Sequence, residues 1–391
     1  MGAHETPNNP LAGPSCAVAL DSLPLSSQEP HLRLSERFER LRHHINEALA
    51  NGAIHRIAVA IYEADANRLK TYGAGGDAPS PLDHYETDLA EVPTLHALAE
   101  APQVRVIDDY EAHPSGRRHT VSIRQSGLRS GLILPLQHEE DFFGFLFLNS
   151  RQPGYFSDAV IERLAPYIDL ARLLAITSIR TTQTLRGAAR TAMAFGRARD
   201  DETGGHLARM AEYSRLIALE LARTHPLSDE YIEMVYQFAP VHDVGKIAVP
   251  DEILLKPGRL TEEEFAQMRE HVTRGVAMVI AMTEELGLSE DRRAGIMRNI
   301  VAYHHERLDG SGYPTGARGD QIPLEGRIVA VADVFDALTS ERPYKRAWGI
   351  KEATVTLRAE ATAGKLCTEC VAAFLRRSDE IEAIRRRHGH R

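Results

Sequence analysis

The sequence predicts two domains of different class, an α+β domain followed by an all-helical one, joined by a long helix. Three observations lead there. The hydrophobic period is near two over much of 54–150 and near 3.6 from residue 156 onward. A length of 391 residues with 43% hydrophobic content is long for one domain and comfortable for two that each bury a core. The His and carboxylate pattern that could hold a cluster of metal ions falls between Asp201 and Lys345, within the helical half.

Composition narrows the function classes. A formal net charge of −9 argues against a broad basic footprint for nucleic acid, so no nucleic-acid partner is expected. It leaves room for a small anionic substrate, because bound metal ions can dominate a local field. Cys16, Cys367 and Cys370 supply no disulfide framework, which suits a reducing cytoplasm. No run approaches the ~18 apolar residues of a membrane span, and residues 1–30 lack the charged start and apolar core of a secretory signal. A cytoplasmic protein is expected.

Residues 1–30 carry Pro7, Pro10, Pro14, Pro24 and Pro30 among small and polar residues, which reads as a disordered tail. Leu34, Phe38, Leu41, Ile45 and Leu49 then recur at helical spacing, and Gly52 follows as a stop. Strands are predicted at 54–63, 68–75 and 104–108, with a hairpin at 130–137 and 142–150 closed by HEED. This order of elements, ending in GLILPLQHEEDFFGFLFLNS and FSDAVIERLAPYIDLA, resembles a GAF domain over residues 31–175. The resemblance implies a sensor with a small ligand of unknown identity. His84, His96, His113, His119 and His138 fall within or beside the expected pocket region, where haem or metal sensing competes with solvated loop histidines.

Residues 156–200 read as the linker helix, with Ser157 as N-cap and Pro166 as an interior irregularity. Apolar residues at 161, 164, 168, 171 and 175 offer a seam for a homodimer through this helix. Beyond it, helices are predicted at 206–222, 229–243, 261–282, 291–305 and 324–340, with a further set from Lys351. Thr261 and Glu264 form a capping-box pattern. LDGSGYPTGARGDQIP (308–323) must be an ordered loop, and the charged stretch 376–391 reads as a solvated tail.

Adjacent residues on a helix point about 100° apart, so His242 and Asp243 reach a common site most easily at a helix end, which Gly245 supplies. His304 follows Met297 and Val301 along an inward stripe. Asp333 sits in the apolar run RIVAVAD, where a carboxylate is costly without a metal or a partner such as Arg327.

HDVGK, HHERLDGSGYP and DVFDALTSERPYK, in this order, resemble the HD-GYP subgroup of the HD phosphohydrolases over residues 185–375. The resemblance implies a phosphodiesterase that opens cyclic di-GMP to linear pGpG, and onward to GMP in some members, at a bi- or trinuclear metal centre. It assigns His242, Asp243, His271, His304, His305 and Asp333 as ligands, with Glu202 and His206 added where a third metal binds, and three metals are favoured. Nitrogen and oxygen donors without thiolate suit iron first and manganese next. The same resemblance gives Lys246, beside Asp243, a catalytic charge role, and gives substrate contacts to Tyr313, Gly312, Pro314, Arg342 and Lys345. A diguanylate cyclase is an expected partner. Against the complete ligand set stand two rivals: a receptor that holds cyclic di-GMP intact, and a hydrolase of another cyclic dinucleotide. The chain departs from the family at GKLCTECVAAF, where a Phe-Asp-Pro segment is common; Cys367 and Cys370 invite a redox or zinc reading, although no second pair completes a zinc site.

Overall fold

The computed structural model describes residues 32–49, 52–112, 116–197, 204–340 and 347–389. The N-terminal domain opens with helix α1 (Leu34–Ala48), whose Leu34, Phe38, Leu41 and Ile45 are buried as their spacing predicts. Strands β1 (Arg56–Glu63), β2 (Arg68–Gly76), β3 (Glu86–Asp88), β4 (Arg105–Ile107), β5 (Ser130–His138) and β6 (Asp141–Ser150) form one antiparallel sheet in the order β3-β2-β1-β6-β5-β4. Two short helices, α2 (Pro93–Glu100) and α3 (Arg118–Gln125), lie between strands.

Alternation decides the two faces of this sheet. Ile57, Val59, Leu132, Leu134, Leu136, Leu146 and Leu148 point to one side, where they pack with α1 and with α4 (Asp158–Arg197). Ile133 and Phe145 point to the other and join Leu98 of α2 and Ile123 of α3. Because both faces are covered, β5 and β6 read as nearly continuous apolar runs.

Helix α4 uses the stripe that the sequence offered to a second chain. Leu164, Ile168, Ala171 and Ala175 are buried against the sheet of their own domain. The opposite face carries Glu162, Pro166, Asp169, Leu173 and Thr177, exposed and mostly polar. The expected homodimer seam is therefore filled within the chain.

The C-terminal domain is all helical, as expected, and is built from α5 (Gly204–Leu221), α6 (Asp229–Phe238), α7 (Asp251–Leu254), α8 (Glu262–Glu285), α9 (Arg292–Tyr303), α10 (Leu324–Thr339), α11 (Ile350–Thr362), α12 (Thr368–Leu375) and α13 (Ser378–His388). Thr261 caps α8 with Glu264 reciprocating, as the pattern predicts. The expected solvated tail is instead α13: Ile381 and Ile384 are buried, and Arg387 and His388 pair with Glu212 of α5. Charge density suggested solvent, but two isoleucines three apart supply an inward edge.

The first domain grips α6 along its length. His84 has a left-handed φ of 57°, and it donates both its backbone N–H (2.9 Å) and Nδ1–H (2.6 Å) to Oδ1 of Asp229. The backbone N–H of Leu34 donates to Glu230, the Tyr236 hydroxyl donates to Glu63, and Lys70 lies between Glu63 and Glu233. The hydrogen bond to Asp229 raises the His84 imidazole pKa above its ordinary value, outweighing burial.

Ile384→Ala should lower stability by about 2–5 kcal/mol in urea unfolding, whereas a solvated tail would give a change within about 0.5 kcal/mol. A raised folded-state pKa for His84 places its stabilisation below the unfolded pKa of about 6.5 and removes it as pH rises through the folded value. The stability of the unmutated chain should therefore converge on that of His84→Gln as pH rises; parallel pH profiles would refute the linkage.

Candidate metal centre

The expected continuous helix over 229–243 is broken. Helix α6 stops at Phe238, because Pro240 brings no N–H and cannot continue an interior turn. Two 3₁₀ turns follow, Ala239–Val241 and Val244–Ala248, with His242 and Asp243 at their junction. Gly245 is required by close approach: a Cβ there would overlap the His271 carbonyl and lie 2.5 Å from the Gly275 nitrogen. Helix α8 thus passes in backbone contact with the His-Asp turn and carries His271 to it.

The imidazoles converge with a common polarity. His242 donates its Nδ1–H to the Ala239 carbonyl (2.9 Å), His271 to that of Met268 (2.7 Å) and His304 to that of Val301 (2.9 Å). His206 donates its Nδ1–H to Oδ2 of Asp336 (2.7 Å). Each ring, its proton committed at Nδ1, turns Nε2 inward. The Nε2 atoms of His206, His271 and His304 are buried without a hydrogen bond, as is Oδ1 of Asp243. Asp243 stands among them, with Oδ1 3.1 Å from His271 Nε2 and 3.6 Å from His304 Nε2, and Oδ2 3.1 Å from His242 Nε2.

Such orphaned buried donors and acceptors are costly by about 1–3 kcal/mol each unless something binds them. Two donor groups result, each with its atoms within 4.8 Å of one another: Asp243, His271, His304 and His305, and His206, His242 and Asp243. Asp243 belongs to both. Burial alone would raise its carboxyl pKa; the Lys246 ammonium, 2.8 Å from Oδ2, and then His242 hold it well below the ordinary range. Burial lowers the His304 pKa, and burial together with His304 drives that of His305 well below the usual range. Neutral imidazoles and an ionised carboxylate are the forms that bind metal. The residues fit a metal cluster.

The GYP loop closes one side. Gly312 lies against the backbone of Glu306 and Arg307 so tightly that any Cβ would clash, and the Tyr313 N–H donates to the His305 carbonyl (3.2 Å). Buried Glu306 accepts from the backbone N–H and hydroxyl of Thr315, both at 2.7 Å, and from the Ala317 N–H at 3.1 Å. The Tyr313 ring rests 4.7 Å from that of His305, with the Arg269 guanidinium 5.8 Å over its face. Burial, and then the Asp243 and Asp333 charges, raise the Tyr313 hydroxyl pKa, keeping it a donor. The Tyr313-Pro314 peptide is cis.

Neither donor group includes Asp333, which is half-buried on α10 one turn before Asp336. Glu202, Arg342 and Lys345 lie outside the described residues. Sequence reasoning missed Asp336, which is buried, receives Arg209 as well as His206, and is held down to about 2, since those two bonds outweigh its burial. The i, i+3 spacing of Asp333 and Asp336 on one helix was the available signal. It also missed Glu306, although HHE contains it, and Arg269.

The fold and the site together define a helical domain built around a buried cluster of His and Asp side chains that could hold metal. Residues 198–366 match a family model described as HD domain. A cyclic di-GMP phosphodiesterase response regulator of Xanthomonas campestris is 46% identical over 187 residues, 48% of this chain and 46% of its own. A cyclic di-GMP phosphodiesterase of Vibrio cholerae is 41% identical over 195 residues, 49% of this chain and 39% of its own. A 3'3'-cGAMP-specific phosphodiesterase of the same species is 42% identical over 191 residues, 48% of this chain and 34% of its own. The chain thus spans less than half the length of each of these relatives. Among solved structures, the GAF domain of an Acinetobacter phosphoenolpyruvate-protein phosphotransferase is similar at 16% identity and a TM-score of 0.30, covering 41% of this chain and 95% of its own.

Asp336→Asn should lower metal affinity roughly 10–100-fold, as losing a carboxylate behind a ligating His does. Chelator competition measures this, and unchanged affinity would remove Asp336 from the site.

Proposed function

We propose that this chain is a metal-dependent phosphodiesterase that hydrolyses cyclic di-GMP to linear pGpG, with GMP as a further product. The observation that carries the reading is the inward set of buried Nε2 atoms around one shared carboxylate. His206, His242, Asp243, His271, His304 and His305 would hold the ions; Glu202 and Asp333 are proposed to complete a trinuclear centre, with iron favoured and manganese next on donor chemistry. When bound, such ions supply Lewis acidity and a water of lowered pKa at a phosphodiester.

The chain's own residues handle the rest of the chemistry. Lys246, part-exposed beside Asp243, places a positive charge where a phosphoryl group or leaving oxygen develops charge. Tyr313 offers a ring face for a purine and a protonated hydroxyl for a phosphate oxygen. Gly312 and Pro314 shape that loop, and Arg342 and Lys345 are proposed to grip phosphates, for which Arg is suited bidentately.

Regulation would come from the N-terminal GAF-like domain in the cytoplasm. A cavity of about 630 Å³ lies there, lined by Arg105, Tyr110, Arg117, His119 and Phe147 among others, and it is the proposed seat of the sensor ligand. Of the five histidines singled out by sequence, His119 lines it; His84 pairs with Asp229, His96 lies near Glu100, His138 contacts Arg180, and His113 lies outside the described residues. A homodimer or a diguanylate cyclase partner would need a face other than the buried stripe of α4.

A mixed guanine-adenine cyclic dinucleotide is the second reading, favoured by the name of one Vibrio relative. The test is anaerobic purification, metal content per chain, and chromatography of a panel of cyclic dinucleotides. We expect two to three metals and linear product, abolished by Asp243→Ala, with kcat lowered roughly 10²–10³-fold by Lys246→Ala. Bound metal with retained but uncut cyclic di-GMP would replace the enzyme by a receptor.

A further inference from the structure

The GKLCTEC segment lies apart from the metal centre and is not used by the proposed reaction. Cys367 is the N-cap of α12 and Cys370 stands at its third position, the geometry in which N-cap and N3 side chains meet. Both are free thiols and both are buried; Cys370 is fully enclosed, while Cys367 keeps 7% exposure. N-cap and N3 placement sets the two side chains against each other. That contact brings the Cys367 thiol down to about 6 and drives that of Cys370 well above its ordinary value. One nucleophilic sulfur at a helix N-terminus with a resolving thiol three residues on is the arrangement of a dithiol built for exchange.

The segment is also tied to the loop that closes the metal centre. The Leu308 N–H donates to the Lys365 carbonyl (3.0 Å), and the Leu308 carbonyl accepts from Gly319 (3.0 Å). Leu308 lies two residues after Glu306, the carboxylate that fastens the GYP loop, and Lys365 lies two residues before Cys367. A single backbone hydrogen bond thus joins the two.

We propose that Cys367 and Cys370 are a redox-active dithiol whose conversion to a disulfide is transmitted to the GYP loop through the Leu308–Lys365 hydrogen bond. The oxidant is a low-molecular-weight disulfide such as glutathione disulfide. The Cys367 thiolate attacks one of its sulfurs, forming a mixed disulfide and releasing one thiolate. Cys370 then loses its proton to solvent, and its sulfur attacks that of Cys367, releasing the second thiolate. The protein loses two electrons and two protons, and two equivalents of the small thiol form.

The test uses the full chain with Cys16→Ser, which removes the third thiol. After incubation with glutathione disulfide, alkylation and mass spectrometry of the intact protein should show an internal disulfide with no alkylated cysteine. Cys370→Ser should stop at a single glutathione adduct on Cys367, and Cys367→Ser should take up neither. Hydrogen exchange of the peptide spanning 304–319 should be faster in the oxidised than in the reduced protein. Two alkylatable thiols persisting under excess oxidant would overturn the dithiol, and an unchanged 304–319 peptide would overturn its transmission. None of these readouts uses hydrolysis, so they stand or fall separately from the proposed activity.

Discussion

A carboxylate buried among imidazoles is the constraint on which the helical half depends. Asp243 can remain ionised there because the Lys246 ammonium, 2.8 Å from its Oδ2, outweighs burial. The Nε2 atoms of the rings turn toward it because the backbone carbonyls of Ala239, Met268 and Val301 hold the Nδ1 protons of His242, His271 and His304. Of these, the Val301 carbonyl lies in the last turn of α9, where C=O groups have no intrahelical partner. The site is thus assembled from the terminus of α9, the break after α6 and a close pass by α8. Without bound ions its inward atoms would remain a desolvation cost.

Close packing holds the helices at that distance. Gly245 and Gly275 let two backbones touch, and Val301 of α9 lies directly over Gly275. His271 and His304 reach Asp243 from these same two helices, so the glycine contact and the ligand geometry are one structural fact. Asp336 extends the control outward, orienting His206 while Arg209 holds Asp336 and reaches the carbonyl of His388 at the end of α13. A C-terminal helix that looked solvated is in this way two side chains removed from His206.

The grip of the first domain on α6 links the sheet to the His-Asp turn. Asp229, Glu230, Glu233 and Tyr236 face the sheet domain, and the same helix ends four residues before His242. A change in the sheet that moved β2 or the His84 turn would act on the element that leads into Asp243. The apolar stripe of α4, by contrast, serves its own domain, because a sheet covered on both faces leaves no spare hydrophobic seam.

Local patterns settled much of this protein from the sequence alone. Periods of two and 3.6 marked most strands and helices, Thr261 and Glu264 fixed the start of α8, and the ordered His and Asp motifs named the six residues that the donor groups contain. These are short-range signals, carried by neighbours a few residues apart. Tertiary structure alone decided the rest. It showed that α4 buries its stripe in its own domain, that α13 packs against α5, and that Asp336 rather than an adjacent motif residue orients His206. Each of those outcomes depends on which surface arrives from a distant part of the chain, and periodicity says only that a face is apolar or charged, not what will cover it.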